Sequence, residues 1–538
     1  MTEIVTSQTP PILHGPSEKE KKYDRQLRLW AASGQEALES ANILLVNSGA
    51  GTVGVETLKN LVLPGIGKFT IVDDAVVTQA DLGVNFFLEE GSLGKLRSEC
   101  CANLLQELNP EVQGDWFPKS AGTLDLAGVL TTSPLYTLII YTNPIREEDL
   151  ATIEAYASQR QVPVVSIHSA GFYSYFRTSL HGTFPIVDTH PEVDKTTDLR
   201  LLNPWPELLD FAQEMTKDID ALDDHQHGHI PYVVILLYCL EQWRQSHNGA
   251  NPTSIKDKRE FGKFVLAHSR TNNPEGGEEN FQEAVAAINK NIKLPELESG
   301  LEEVFNHQLS DEFELQSNFW VIARAVKDFY LKHGCLPLPG ALPDMKALSS
   351  VYVKLQNIYK AKARKDAQEV LEIARANTGG KDVDPAEVEL FCKNARFVKL
   401  INAKPPEQDL NQIYDTEKAS DAAAEAMKEE TGGAFSLPMS NFFIYLALAA
   451  TSHNANATAD AIVTTIASKI PNAISDKRVL QVAQEVARAG GGELHNISAL
   501  TGGMVAQEII KIITKQYVPI DNTCIFDGIS SRCQVLRL

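Results

Sequence analysis

A short apolar run, Ala41–Asn47 (ANILLVN), ends in Gly49-Ala50-Gly51-Thr52-Val53-Gly54; a helical stretch, Thr52–Leu63, and a second apolar run, Lys68–Asp73 (KFTIVD), follow. Strand, glycine-rich turn, helix and strand within about 33 residues form one βαβ unit, whose right-handed crossover commits the chain to a parallel sheet covered by helices. The glycine spacing GxGxxG falls after a strand and at a helix start. Glycines there permit a tight turn and a close backbone approach to phosphate, and the helix N-terminus supplies free N–H groups and partial positive charge. Asp73 ends the next strand 24 positions after Gly49, where a ribose-binding carboxylate belongs. Gly49, Gly51, Gly54 and Asp73 are therefore the candidate nucleotide-binding residues. The same glycines serve turn formation and helix–strand packing equally well with nothing bound, and these residues alone do not separate the two readings. The P-loop pattern ending in Gly-Lys-Ser/Thr does not occur, so a P-loop nucleotidase is unsupported.

The alternation continues, with Leu93–Leu108 and Glu147–Ser158 reading as helices and Tyr136–Tyr141 and Val162–Ile167 as strands. The first 170 or so residues thus read as an α/β, doubly wound, Rossmann-like sheet. Ahead of it, Ser17 with Glu20 has the form of a capping box opening a helix through about Leu38, and residues 1–16 read as a flexible tail. From Pro204 to about Glu485 the texture is mostly helical, as in Tyr232–Ser246, Phe319–Lys332 and Tyr352–Ala376, with no fixed-period repeat. An apolar helix, Ile497–Thr514, and a strand-turn-strand pattern over Val518–Asp527 close the chain. That small tail cannot cover its own apolar surface, so it is expected to return and complete the N-terminal sheet. The expected domains are 17–180 plus 486–538 for the sheet, and 181–485 for a large helical insertion.

The 538 residues carry 49 Lys+Arg against 70 Asp+Glu, a formal net charge of -21. Such a chain lacks the positive field that holds nucleic acid or an anionic membrane. The longest apolar runs, Tyr232–Leu240 and Phe442–Ala450, are about half a membrane span. The opening MTEIVTSQTPPIL shows no basic segment followed by an apolar core, so no secretory leader is expected. Seven cysteines without paired spacing do not make a disulfide framework, and no CxxC pair offers a structural zinc site. A soluble, intracellular chain is expected, with no metal of its own.

Several segments carry a resemblance. Lys22-Tyr23-Asp24-Arg25-Gln26-Leu27-Arg28-Leu29-Trp30, then Gly34-Gln35-Glu36-Ala37-Leu38, then strand and glycine turn, resemble the opening of the ubiquitin-like-protein-activating enzymes. The bacterial adenylating enzymes of molybdopterin and thiamine biosynthesis (the ThiF/MoeB-like proteins) are similar more loosely. Further matches are Leu58–Gly67, Asn85-Phe86-Phe87-Leu88, Leu105-Gln106-Glu107-Leu108-Asn109, Lys354–Tyr359 and Ala506–Gln516. As a set, spread over nearly the whole chain, they resemble the regulatory, non-thioester subunits of neddylation-activating enzymes, the amyloid-precursor-protein-binding protein 1 and auxin-resistance type.

The resemblance implies a heterodimer that adenylates and thioester-links a Nedd/Rub-type ubiquitin-like modifier, in the cytoplasm and nucleus, supporting neddylation of targets such as cullins. It implies that the partner, a thioester-forming catalytic subunit, holds ATP and Mg and carries the cysteine. It also exposes departures. Where active halves carry a second carboxylate this chain has Ala75; where they carry a phosphate-clamping arginine it has Val84; where they carry a metal-binding aspartate it has Thr142. The family's lysine in the next helix corresponds to Arg97. A triphosphate site needs a divalent ion and fixed cations. The sheet domain is therefore expected to be an inactive adenylation domain with no cofactor of its own, its glycines a relic scaffold that leaves residual nucleotide binding open.

On a helix from Ser17 to Leu38, Tyr23, Leu27 and Trp30 cluster within about 60° as the packed face, and Arg25 points about 160–200° away. An arginine so placed is ordinarily a solvated one, paired with Asp24 or Glu36. In the resembled enzymes this position reaches the triphosphate bound by the other half, so the resemblance assigns Arg25 a role in trans during adenylation, with Arg28 the weaker candidate.

The remaining features read as structural. Cys100, Cys101 and Cys239 sit in apolar helical segments, Cys335 and Cys392 are expected to be more exposed, and none carries a nucleophile motif. The insertion then resembles a catalytic-cysteine domain that has lost its cysteine. His225-Gln226-His227-Gly228-His229 is expected in a solvated loop rather than on a metal, and Lys360, Lys362, Arg364 and Lys365 on a solvated helix face. The rivals are an independent adenylating enzyme, a dinucleotide-dependent oxidoreductase, a pure scaffold, and the much shorter regulatory subunit of a SUMO-type activating enzyme.

Overall fold

A computed structural model describes residues 17–538 apart from 121–123, 133, 193–194, 273–276, 295, 310–313, 316, 378–382, 402–408 and 435–436. The expected tail, 1–16, lies outside the described residues. The chain divides into two compact units, one of residues up to Ile186 together with Ile401–Leu538, the other Val187–Leu400.

The first unit opens with α1 (Glu18–Lys22) and α2 (Asp24–Ser40). The capping box forms: the Ser17 hydroxyl accepts from the Glu20 N–H at 3.2 Å, and the Ser17 N–H donates to Glu20 Oε2 at 2.7 Å. The single helix expected from Ser17 to Leu38 is interrupted, first at Tyr23 and again at Trp30–Ala31, where Ala31 has φ +56°. Each break falls at a buried aromatic, Tyr23 or Trp30, while Leu27 between them is half-buried. Trp30 packs on Gly34, where a Cβ would come within 2.7 Å of the Trp30 Cβ. Its indole N–H donates to Gln35 Oε1 at 3.2 Å.

The alternation then runs β1 (Asn42–Val46), α3 (Thr52–Val62), β2 (Lys68–Val72), α4 (Gln79–Leu82), α5 (Arg97–Leu108), β3 (Gln113–Phe117), α6 (Leu126–Thr132), β4 (Leu138–Thr142), α7 (Glu147–Arg160), β5 (Val164–Ala170) and β6 (Tyr173–Ser179). A separate two-stranded sheet pairs β7 (Phe184–Val187) with β8 (Val398–Ile401), and β9 (Thr523–Asp527) and β10 (Arg532–Leu536) end the chain. The main sheet has eight strands in the order β10-β9-β6-β5-β4-β1-β2-β3. Strands β1 to β5 run parallel to one another; β6, β9 and β10 are added antiparallel. All five residues of β1 are buried, as a central parallel strand requires.

The C-terminal segment returns to this sheet, with Tyr175 opposite Ile525 in the β6–β9 register. Its hairpin lies later than the Val518–Asp527 pattern suggests, over Thr523–Leu536, because Tyr517–Ile520 only connects the helix His495–Thr514 to β9.

The helices Leu410–Glu430, Phe442–Ala449, Ala459–Lys469 and Lys477–Ala489 also pack in this first unit, although the sequence reading groups residues up to 485 with the insertion. The reason is the apolar face of β6 and β9: Tyr173, Tyr175 and Ile525 share one core with Phe442, Phe443 and Ile444. The second unit is mostly helical and holds two cores of its own, one around the helix Tyr232–Ser246 and one where Asn318–His333 packs on Ser349–Asn377.

Candidate functional site

The glycine turn joins the C-terminal end of β1 to α3. Gly49 and Gly51 have φ of +60° and +66°, a region that favours glycine. A Cβ on Gly51 would collide with the Asn47 side chain, and one on Gly54 would lie 2.5 Å from Asn47 Oδ1 and 3.0 Å from the Thr142 methyl. Positive φ at Gly49 and Gly51, and the close approach of Pro144 to Gly49, of Asn47 to Gly51 and Gly54 and of Thr142 to Gly54, therefore account for all three glycines without a ligand.

Asp73 directly follows β2 beside this turn and is buried, but its carboxylate is already taken. Arg97, at the start of α5, donates from Nε to Asp73 Oδ2 at 2.7 Å and from Nη2 to Oδ1 at 3.2 Å. Its Nη1 reaches Asp81 Oδ1 at 3.0 Å and the Ala50 carbonyl of the glycine turn at 3.1 Å. Asn47 adds a donor to Asp73 Oδ2 at 2.9 Å. Burial lowers the Arg97 pKa, and the facing Asp73 and Asp81 outweigh it, holding the guanidinium well above its ordinary range. Burial raises Asp81, but the bonds from Thr78 and the charge of Arg97 win and lower it. One buried cation thus knits two carboxylates and the turn together.

The N-terminus of α3 is engaged as well. The Val53 N–H donates to Glu493 Oε2 at 2.8 Å, and the Gly51 N–H favours the charged form of the same carboxylate. Ser498 Oγ donates to Oε2 at 2.6 Å. Glu493 is buried, and burial raises its carboxyl against the pull of these donors and of Arg97. Sequence reasoning missed Glu493; the signal was Gly490-Gly491-Gly492 directly before it, a run that permits close backbone approach.

Whether Mg·ATP suits this site is settled by the side chains around it. Thr142 is buried and accepts from the Ser48 N–H at 2.8 Å, so it ties the turn to β4. Ala75 and Val84 bring no charge; the Val84 carbonyl faces His495 Nδ1 at 3.1 Å, and Phe86 stacks on the His495 ring at 3.6 Å. Asp73 is paired to Arg97 and the Val53 N–H to Glu493, so the carboxylate and the helix N–H that a metal and a triphosphate would use are already engaged. The residues present do not fit Mg·ATP.

Arg25 stands on α2, exposed, and no side-chain hydrogen bond or ion pair involves it among the described residues. Its neighbour Asp24 is paired with Arg28 at 3.0 Å, which leaves Arg25 outside that pair.

The other candidates are structural. Cys392, expected to be exposed, is buried in the core around Phe391 and Val398 because its helix Pro385–Lys393 turns that face inward. Burial pushes Cys392 up, and Cys101 up to about 12, the opposite of an activated thiol. Cys335 is half-buried beside Arg200 Nη1 at 3.1 Å, on a cavity of about 470 Å³ in the second unit. His227, expected in a solvated loop, is buried against Phe281 and 2.7 Å from Glu278 Oε1. Among the described residues no group of three or more His, Cys, Asp or Glu is placed to hold a metal. Lys362 pairs with Asp366 at 2.6 Å, and Lys360, Arg364 and Lys365 are exposed.

The profile of the ThiF family matches residues 23–538. The NEDD8-activating enzyme E1 regulatory subunit of Xenopus laevis is 34% identical over 550 residues, covering 97% of this chain and 99% of that protein. The regulatory subunit AXR1 of Arabidopsis thaliana is 34% identical over 547 residues, with 97% of each chain covered. The corresponding subunit of Saccharomyces cerevisiae is 27% identical, covering 96% of this chain and all of that one.

Proposed function

The chain belongs to the ThiF family and, within it, to the regulatory subunits of the NEDD8-activating E1 enzyme; from that premise we propose that it works by lending Arg25 to an ATP site carried by a catalytic partner subunit. In this reading the partner binds Mg·ATP, adenylates the C-terminal glycine of a Nedd/Rub-type modifier and forms the thioester. This chain supplies the paired half-sheet and one guanidinium. The observation that carries the reading is an exposed arginine on α2 whose side chain has no partner among the described residues, in a chain whose own half-site carboxylate is spent on Arg97. A guanidinium suits the work, being planar, permanently charged and able to meet two phosphate oxygens at once.

The test is reconstitution. Modifier thioester should form in a mixture of this chain with the catalytic subunit, and should slow strongly when Arg25→Ala replaces the wild-type chain, with the two subunits still co-eluting. Equal thioester rates with and without Arg25 would favour the second reading, a pure scaffold. We also propose cytoplasmic and nuclear residence, which imaging of a fluorescent fusion of the full chain checks; exclusion from either compartment would contradict it.

A further inference from the structure

We propose that Glu493 is an internal stand-in for a nucleotide phosphate: its carboxylate occupies the anion-binding end of α3, keeping the glycine turn assembled and shut to polyphosphates. The inference concerns this chain's own half-site and stands or falls independently of what Arg25 does elsewhere.

A glycine turn leading into a helix leaves several N–H groups without intrahelical partners, and the partial positive charge there favours an anion. In this chain the Val53 N–H donates to Glu493 Oε2 at 2.8 Å, and the Gly51 N–H of the turn favours the charged form of that carboxylate. The carboxylate arrives from 440 positions away in the sequence, so no local capping rule places it. It is delivered by a purpose-shaped backbone. The helix Lys477–Ala489 ends on Gly490 with φ +56°, Gly491 follows with φ +73°, and a Cβ on Gly491 would stand 2.5 Å from that of Ala455. The Gly171 N–H then donates to the Gly492 carbonyl at 2.8 Å, fixing the strand end of β5 to the residue before Glu493. Ser498, one turn into the helix His495–Thr514, holds the carboxylate from the other side at 2.6 Å.

The surroundings fit an arrangement that replaces a ligand. Arg97, the buried cation of the site, contributes its charge to Glu493 while its hydrogen bonds go to Asp73, Asp81 and the Ala50 carbonyl. Thr52, the first residue of α3, and Ser98, beside Arg97, are fully buried, and the hydroxyl oxygen of each is without a hydrogen-bond partner. Thr52 Oγ1 is a donor of the kind a phosphate would use, one residue from the Val53 N–H that the carboxylate has already claimed.

Isothermal titration of the full chain with inorganic pyrophosphate, without metal, tests the proposal. Glu493→Ala should bind pyrophosphate about tenfold or more tightly than the wild type, the scale expected when an N–H donor to an anion is released and a buried like charge is removed. Glu493→Asp, which draws the carboxylate back by one methylene and keeps the charge, should gain less, and it decides the question should the alanine variant not fold. Amide exchange gives a second readout: in either folded variant, pyrophosphate should slow exchange at Val53 and Gly51, and it should leave both unchanged in the wild type. Wild type and a folded variant with equal affinity for pyrophosphate, whether both bind or neither does, would overturn it.

Discussion

Arg97 Nε lies 2.7 Å from Asp73 Oδ2, and both side chains are withdrawn from solvent. The pair sits where a nucleotide-binding half-site would present a free carboxylate, so stability and silence of the site are the same contact. Removing one member of a buried, hydrogen-bonded pair leaves the other charge uncompensated, at a cost of about 3–5 kcal/mol. Arg97→Met should therefore lower the unfolding free energy of the full chain by that amount in urea. Arg97→Lys should recover only part, since an ammonium cannot span Asp73, Asp81 and the Ala50 carbonyl together. A change below about 1 kcal/mol for Arg97→Met would show that the network is not what holds the turn.

Gly502 lies where the helix His495–Thr514 meets α3, and a Cβ there would come within 2.9 Å of the Glu56 carbonyl carbon and the Thr57 nitrogen. The obstacle is backbone, which cannot swing aside. Gly502→Ala should cost about 1–3 kcal/mol by overpacking, read as a lower urea midpoint with an unchanged slope. Gly503→Ala, one position on with nothing within 4 Å, is the control and should be neutral or slightly stabilising.

His168 on β5 is buried, with Nε2 3.4 Å from Thr451 Oγ1, and burial lowers its pKa from 6.5 to about 3. Between those values the unfolded chain binds a proton that the folded chain refuses. Stability is therefore full above pH 6.5 and is lost as pH falls, with a slope of about 1.4 kcal/mol per pH unit from this group. Going from pH 7.5 to 5.5, the wild type should lose about 1.4 kcal/mol more than His168→Gln. Parallel pH profiles for the two proteins would mean that His168 titrates normally.

Much of this was legible before any coordinates. Periodicity and glycine spacing located β1, α3, β2, α7 and β5 because parallel core strands and their crossover helices carry dense local signals. The segment resemblance identified the family because it spans both ends of the chain. What stayed hidden is long-range. The breaks at Tyr23 and Trp30–Ala31 are changes of backbone direction in a segment whose helical wheel already puts both aromatics on one face, so the wheel carries no sign of them. The helices between Leu410 and Ala489 read as more of the insertion, and only the apolar face of β6 and β9 claims them for the sheet. Asp73 read as a ribose ligand because its spacing is right, and the arginine that occupies it is 24 residues away. Glu493 had no local signature beyond the three glycines before it.

The central claim is that this chain does no nucleotide chemistry of its own and acts through Arg25 in another subunit's site. Modifier-dependent ATP–pyrophosphate exchange tests it most directly, measured with this chain alone, with the catalytic subunit added, and with Arg25→Ala in that mixture. The account predicts no exchange by the chain alone, exchange by the mixture, and a fall in kcat/KM of more than about tenfold, or roughly 1.4 kcal/mol of transition-state stabilisation, on loss of Arg25. Exchange by the chain alone, or an undiminished rate with Arg25→Ala, would contradict it.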